Sequence, residues 1–98
     1  MNLFEIIWKE RFVEKILTRH QVTTNEVEYV LFHKAHIRRA KKGNVKGEDV
    51  YVAYGKTENG RYLVVFFIYK YKQAALPISA RDMTTAERKY YEKRRKTY

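Results

Sequence analysis

Arg81, Glu87, Arg88 and Tyr91, near the end of a 98-residue chain, have the types and spacing to handle a phosphate. If residues 87–91 are helical, side chains three and four apart share a face, so an acid, a guanidinium and a phenol fall within one turn. An acid or phenol can move a proton, and a guanidinium can hold a phosphate and stabilise charge building on it. Arg81 lies just before that helix, whose N-terminus itself attracts anions. Ordinary alternatives stand beside this reading. Arg81 can form a structural ion pair with Asp82 or Glu87, and the helix can be a charged, solvated surface.

Positive charge is concentrated rather than spread. The net charge is +10; residues 1–32 sum to −1, 33–48 to +5, 49–83 to +2 and 84–98 to +4. The middle segment holds Lys34, Arg38, Arg39, Lys41, Lys42 and Lys46, and the last helix adds Arg94 and Arg95. Such patches attract phosphate backbones, with RNA the preferred polyanion; a solubilising surface is the bland alternative. The basic segment has no aromatic interleaving, so it suits backbone attraction rather than base recognition. Tyr51, Tyr54, Tyr62, Phe66, Tyr69 and Tyr71 are divided between two sheet faces, with a core role placed ahead of base stacking.

Metal and cofactor chemistry finds little support. There is no cysteine, and His33 and His36 stand three apart without further ligands nearby. His20 is read as a partner for helix C-terminal carbonyls. No glycine-rich phosphate loop or serine elbow occurs, so no metal and no cofactor is expected. No apolar run is long enough for a membrane span, and the N-terminus lacks a signal-peptide pattern, so a cytoplasmic protein without membrane partners is expected.

These groups need a scaffold, and the length allows one domain over residues 1–98. Leu3–Trp8 predicts a short strand. Phe12, Val13, Ile16 and Leu17 predict a helix over 9–20. Thr23 and Glu26 form a capping box for a second helix with Val27, Val30 and Leu31 on its apolar stripe. Strands follow at His36–Lys41, charged like an edge, and at Val50–Gly55, Arg61–Lys70 and Ala74–Ala80. Lys42-Gly43 and Lys46-Gly47 mark a turn, and Asn59-Gly60 a hairpin. Pro77 places the last strand at an edge or in a bulge. Alternation puts Leu76, Ile78 and Ala80 on the core face and sends Arg81 to the open one. Thr84 and Glu87 open a last helix running to about Lys96, with Met83, Ala86 and Tyr90 packing. The expected class is α+β: a small antiparallel sheet, order β-α-α-β-β-β-β-α, with helices on one face.

Three blocks resemble the BrnT family of toxins. Residues 19–32, RHQVTTNEVEYVLF, are similar to its "HGVT-x-EEVEEVLF" segment; Gly60 to Val65 resemble its "GRYLxVV" strand; Ile78 to Glu92 resemble its closing "ISARxMTxxERxxYE". The resemblance implies a RelE-like fold and an endoribonuclease toxin that arrests translation. It also implies a cognate antitoxin, usually a ribbon–helix–helix protein, through which the pair represses operator DNA. Residues carried over are Arg61, Arg81, Glu87, Arg88 and Tyr91. Two departures stand out: Gln21 replaces the glycine after the histidine, which strains or alters that helix end, and Pro77 falls inside the last strand. The expected reaction is metal-independent attack of the RNA 2′-hydroxyl, with Arg61 and Arg81 stabilising charge and Tyr91 or Glu87 moving the proton. The competing reading is a non-catalytic RNA- or protein-binding module of the same fold.

Overall fold

The computed structural model describes residues 1–41 and 48–95. Within them the order is β1 (Glu5–Ile6), α1 (Glu10–His20), α2 (Thr24–Phe32), β2 (His36–Lys41), β3 (Val50–Lys56), β4 (Tyr62–Lys70), β5 (Ala74–Asp82) and α3 (Thr85–Arg95). A single 3₁₀ turn at Tyr71–Gln73 joins β4 to β5. The turn expected after β2, marked by Lys42-Gly43 and Lys46-Gly47, lies outside the described residues.

Local chemistry sets the starts of two helices. The Thr23 hydroxyl accepts from the Glu26 N–H (3.2 Å), while the Glu26 carboxylate accepts from the Thr23 N–H (3.0 Å). Thr84 and Glu87 repeat the arrangement ahead of α3, at 3.2 and 2.8 Å. Each box satisfies backbone donors that a helix start leaves without partners. The hairpin is also as read: Gly60 takes a positive φ of 87° between β3 and β4.

The sheet runs β1-β5-β4-β3-β2. Strands β2 to β5 pair antiparallel with their neighbours, but β1 pairs parallel to β5, through Glu5 with Ala74 and Ile6 with Ala75. The α+β class holds, and the sheet is mixed rather than purely antiparallel. The expected strand over Leu3–Trp8 is reduced to two residues, and Leu3 is buried in the α1/α2 core.

Helices cover both faces, not one. Ile16 of α1 and Val27, Val30 and Leu31 of α2 pack on Ala53, Leu63, Val65 and Phe67. On the opposite face Val52, Tyr54 and Val64 pack with Met83 and Tyr91. The cause is in β3 and β4, which are apolar at successive positions (Val52-Ala53, Val64-Val65) and so need cover on both sides. Ala86, expected in this packing, is exposed; Tyr91 takes the buried place. Gly55 lets α2 come close, because a Cβ there would stand 2.8 Å from Val30 Cγ1.

Pro77 produces a bulge. Phe66 pairs with Ser79 and Phe67 with Pro77, leaving Ile78 unopposed. The extra residue reverses the alternation, so Ala75 and Ala80 both enter the α1/α2 core. Arg81 does face away from that core, as expected, but through the bulge rather than through simple alternation from Leu76.

Gln21 sits in the left-handed region (φ 54°, ψ 40°) at the end of α1, where its N–H bonds back to Ile16 and Leu17 carbonyls. A side chain is disfavoured there and glycine is not. Gln21→Gly is therefore expected to stabilise the fold by about 1 kcal/mol. Thermal unfolding would register this as a rise of roughly 4–8 °C in Tm; an unchanged or lower Tm would contradict the strain.

Candidate active site

The face covered by α3 gathers most of the groups singled out from sequence. Arg81, delivered by the β5 bulge, pairs with both Glu87 carboxylate oxygens, at 2.7 and 2.9 Å. Its guanidinium also lies over Phe66, 5.6 Å from the ring centroid. The pair was the structural alternative, and it is what forms. Glu87 is held well below the usual carboxylate range, at about 2, first by the Arg81 hydrogen bonds and further by the Thr84 N–H. At neutral pH it is ionised, with no proton to give and little basicity.

Arginines and rings alternate along α3. Arg88 stacks on Tyr62 (4.2 Å), and Tyr62 meets Tyr91 edge-on (6.0 Å). Arg95 lies over Tyr91 (5.9 Å) and Arg94 over Tyr90 (4.4 Å). The Tyr62 hydroxyl donates to Glu92 (3.0 Å), which also receives Arg95 (3.3 Å). Tyr91 is only 7% exposed. Contacts between guanidinium and ring add to such layers, and Arg88, Arg94 and Arg95 remain exposed.

At the β2 end stands a group that spacing alone did not single out. His36 Nε2 lies 2.9 Å from the Tyr90 hydroxyl, and its ring sits 6.1 Å from Tyr54. Arg38 donates to the Tyr54 hydroxyl (3.1 Å), which raises its own pKa. Burial lowers the His36 pKa, and the charges of Arg94 and Arg38 lower it further. His36, Tyr54 and Tyr90 were missed because their meeting is tertiary. The one available signal was that His36 and Arg38, two apart on a strand, share a face.

The remaining candidates are elsewhere. Arg61 lies on the α1/α2 side. Its Nε and Nη2 donate to Asp82 (2.7 and 3.2 Å), its Nη1 to the Gln21 carbonyl and Glu26 (2.8 and 3.2 Å), and its Nη2 to the His20 carbonyl (3.0 Å). These bonds occupy the whole guanidinium. His20 takes part through its backbone carbonyl, not through the side-chain contact to helix-end carbonyls expected of it. Alternation splits the basic segment: Arg38 faces α3, whereas Arg39 pairs with Asp49 (3.4 Å). Lys34 is exposed beside Phe4 and Phe32, between the end of α2 and the start of β2. Lys41 ends β2; its side chain, with Lys42 and Lys46, lies outside the described residues. Among the described residues no three His, Asp or Glu side chains are grouped to hold a metal ion, and no helix is long and apolar enough to cross a membrane.

Residues 8–87 match the family model described as the ribonuclease toxin BrnT of type II toxin–antitoxin systems. The chain belongs to the BrnT family. The fold is also that of the Brucella abortus ribonuclease toxin BrnT, known from a 1.1 Å crystal structure, with a TM-score of 0.66 and 21% identity. That likeness covers 84% of this chain and 99% of the Brucella one. No curated protein matches the chain.

In this BrnT-family chain the acid side of the stability profile follows from the two arginine clamps. Glu87 and Asp82 both have carboxyl pKa values depressed on folding, by Arg81 and Arg61 respectively. Their stabilisation is full above the ordinary carboxylate values and is lost as pH falls through the folded ones. Thermal midpoints should therefore drop from about pH 5 toward pH 2, and Glu87→Gln should remove part of that drop. A midpoint flat over this range would contradict the pairing.

Proposed function

We propose that the chain is a metal-independent endoribonuclease that cleaves RNA by attack of the 2′-hydroxyl on the adjacent phosphate. The observation that carries this reading is the α3 face, where Arg38, Arg81, Arg88, Arg94 and Arg95 are each set against an aromatic ring. A row of guanidinium groups over rings suits a single strand, whose phosphates meet charge and whose bases meet flat surfaces. Arg81 stabilises the charge that develops on the phosphate, as a donor held in place before the reaction begins. Glu87, already ionised, orients Arg81 instead of moving a proton. Tyr91, largely buried, is the floor beneath Arg95. Arg61 serves the scaffold, since its donors are all taken. Metal independence is supported by the carboxylates themselves: Glu26, Asp82 and Glu87 are tied to arginines.

Family membership supports the wider setting. The chain would arrest translation in the cytoplasm and be neutralised by a cognate antitoxin, a ribbon–helix–helix protein that carries the pair to operator DNA. Tyr54, Tyr62 and Phe66 are packed toward α3, so they do not form a bare aromatic face for the antitoxin to cover. A second reading, a non-catalytic RNA-binding module, draws on the two-point Arg81–Glu87 bond, which a purely structural pair would also make.

Fragment chemistry separates the two. Cleavage of total bacterial RNA should persist in excess chelator and leave 2′,3′-cyclic or 3′-phosphate ends, and a 2′-deoxy substitution at the cut site should block it. Arg81→Ala should slow cleavage roughly 10²–10³-fold. It should flatten the log-affinity against log-salt slope by only about 0.7. Cleavage lost on chelation and restored by a divalent ion would contradict the mechanism; binding without cleavage would favour the module.

A further inference from the structure

His36, Tyr54, Val64 and Arg81 are successive cross-strand partners, so they form one row across four strands on the α3 face. Neighbouring strands are about 4.8 Å apart, which sets the ends of the row roughly 14 Å apart at the backbone. The Tyr54 phenol stands between those ends, close enough to Arg81 to act on its charge. An RNA backbone laid along this row would pass an imidazole at one end and a guanidinium at the other.

Of the three histidines, His36 alone is in this place. His33 stacks on Tyr29 at 3.9 Å and bonds the Tyr29 carbonyl. His20 belongs to the Arg61 corner. The charged and titratable groups facing His36 are Arg38 on its own strand, Tyr54 on β3, and Tyr90 and Arg94 on α3. Its Nε2 is engaged by Tyr90, and no described residue bonds Nδ1. When Nε2–H donates to the Tyr90 oxygen, the lone pair of Nδ1 is open to accept a proton.

We infer that His36 Nδ1 is the base that takes the 2′-hydroxyl proton, with Tyr90 as the positioning residue that holds the ring through Nε2. This rests on the ribonuclease reading and names the proton acceptor that reading lacks. The 2′-O–H bond breaks as the 2′-oxygen–phosphorus bond forms, and the proton passes to Nδ1. The phosphorus–5′-oxygen bond then breaks, and the leaving oxygen takes a proton from solvent water. A 2′,3′-cyclic phosphate and a 5′-hydroxyl result, and the imidazolium returns its proton to solvent. Burial first, and then the charges of Arg94 and Arg38, lower the pKa of the ring, so it is neutral, hence able to accept, at cellular pH.

The experiment uses the full chain and a labelled RNA oligonucleotide that the parent cuts, with its 2′-O-methyl form as the binding probe. His36→Gln should slow cleavage roughly 10²–10⁴-fold while binding of the 2′-O-methyl probe stays within about twofold, which also shows that the variant is folded. His33→Gln should cut at the parent rate. In the parent, the single-turnover rate should rise with pH through a limb below 6.5. Arg94→Gln, by removing a positive neighbour, should move that limb to higher pH, and Tyr90→Phe should displace it as well. A His36→Gln rate within about threefold of the parent, or a limb unmoved by Arg94→Gln, overturns His36 as the base and leaves the ribonuclease reading standing. A parent chain that binds RNA but cuts none overturns the ribonuclease reading itself.

Discussion

The bond between Arg81 and Glu87 is the joint on which the arginine-lined face depends. Helix α3 carries five basic residues over Thr85–Arg95 and only one that is buried, so its own composition gives it little reason to lie on the sheet. Glu87 answers two needs at once. Its carboxylate caps the first turn through Thr84 and ties that turn to β5 through Arg81. The negative charge also sits where a helix N-terminus favours it, ahead of the repelling cations further along. With the start of α3 fixed, Tyr90 and Tyr91 fall over Tyr54 and Tyr62. The arginines between them are then presented as a row. The bulge at Pro77 is the precondition, because without the extra residue the alternation of β5 would turn Arg81 into the apolar core.

A second arginine does comparable work on the other side of the sheet. Arg61 joins the end of α1, the capping box of α2 and the end of β5. The two residues are indistinguishable by type, and both belong to blocks that resemble the family. What separates them is what remains available. Arg61 is ringed by six oxygen acceptors, from the end of α1, from α2 and from β5, whereas Arg81 has one carboxylate, one backbone carbonyl and a ring, at the margin of a surface rich in positive charge. On the proposed reading, this difference leaves Arg61 to the frame and Arg81 to the phosphate.

Features specified within a few residues were legible in the sequence. Both capping boxes, the Asn59-Gly60 hairpin and the extent of β2 depend on neighbours along the chain, and each is found where the pattern put it. Pro77 announced an edge or a bulge, and the strand is bulged there. What could not be read was anything decided by distant partners. The parallel pairing of β1 depends on where β5 arrives after the whole sheet has formed. The placement of α3 on the second face depends on the double-sided apolar character of β3 and β4, which the reading of a one-sided sheet passed over. His36 was set aside for lack of metal partners, yet what gives it interest is a phenol 54 residues away. Tyr91 shows the converse: helical spacing grouped it with Glu87 and Arg88, but spacing cannot show that it is the buried member of that turn.

The account stands or falls on the α3 face being where RNA lies. Backbone and arginine side-chain NMR signals of the full chain, followed as a 2′-O-methyl RNA oligonucleotide is added, test this directly. The predicted result is a continuous set of perturbed signals at His36, Arg38, Arg81, Arg88 and Arg94, with Arg61 and the α1 surface unmoved. Perturbations centred on Arg61, or on the exposed Phe4 and Tyr71 at the far edge of the sheet, would contradict it.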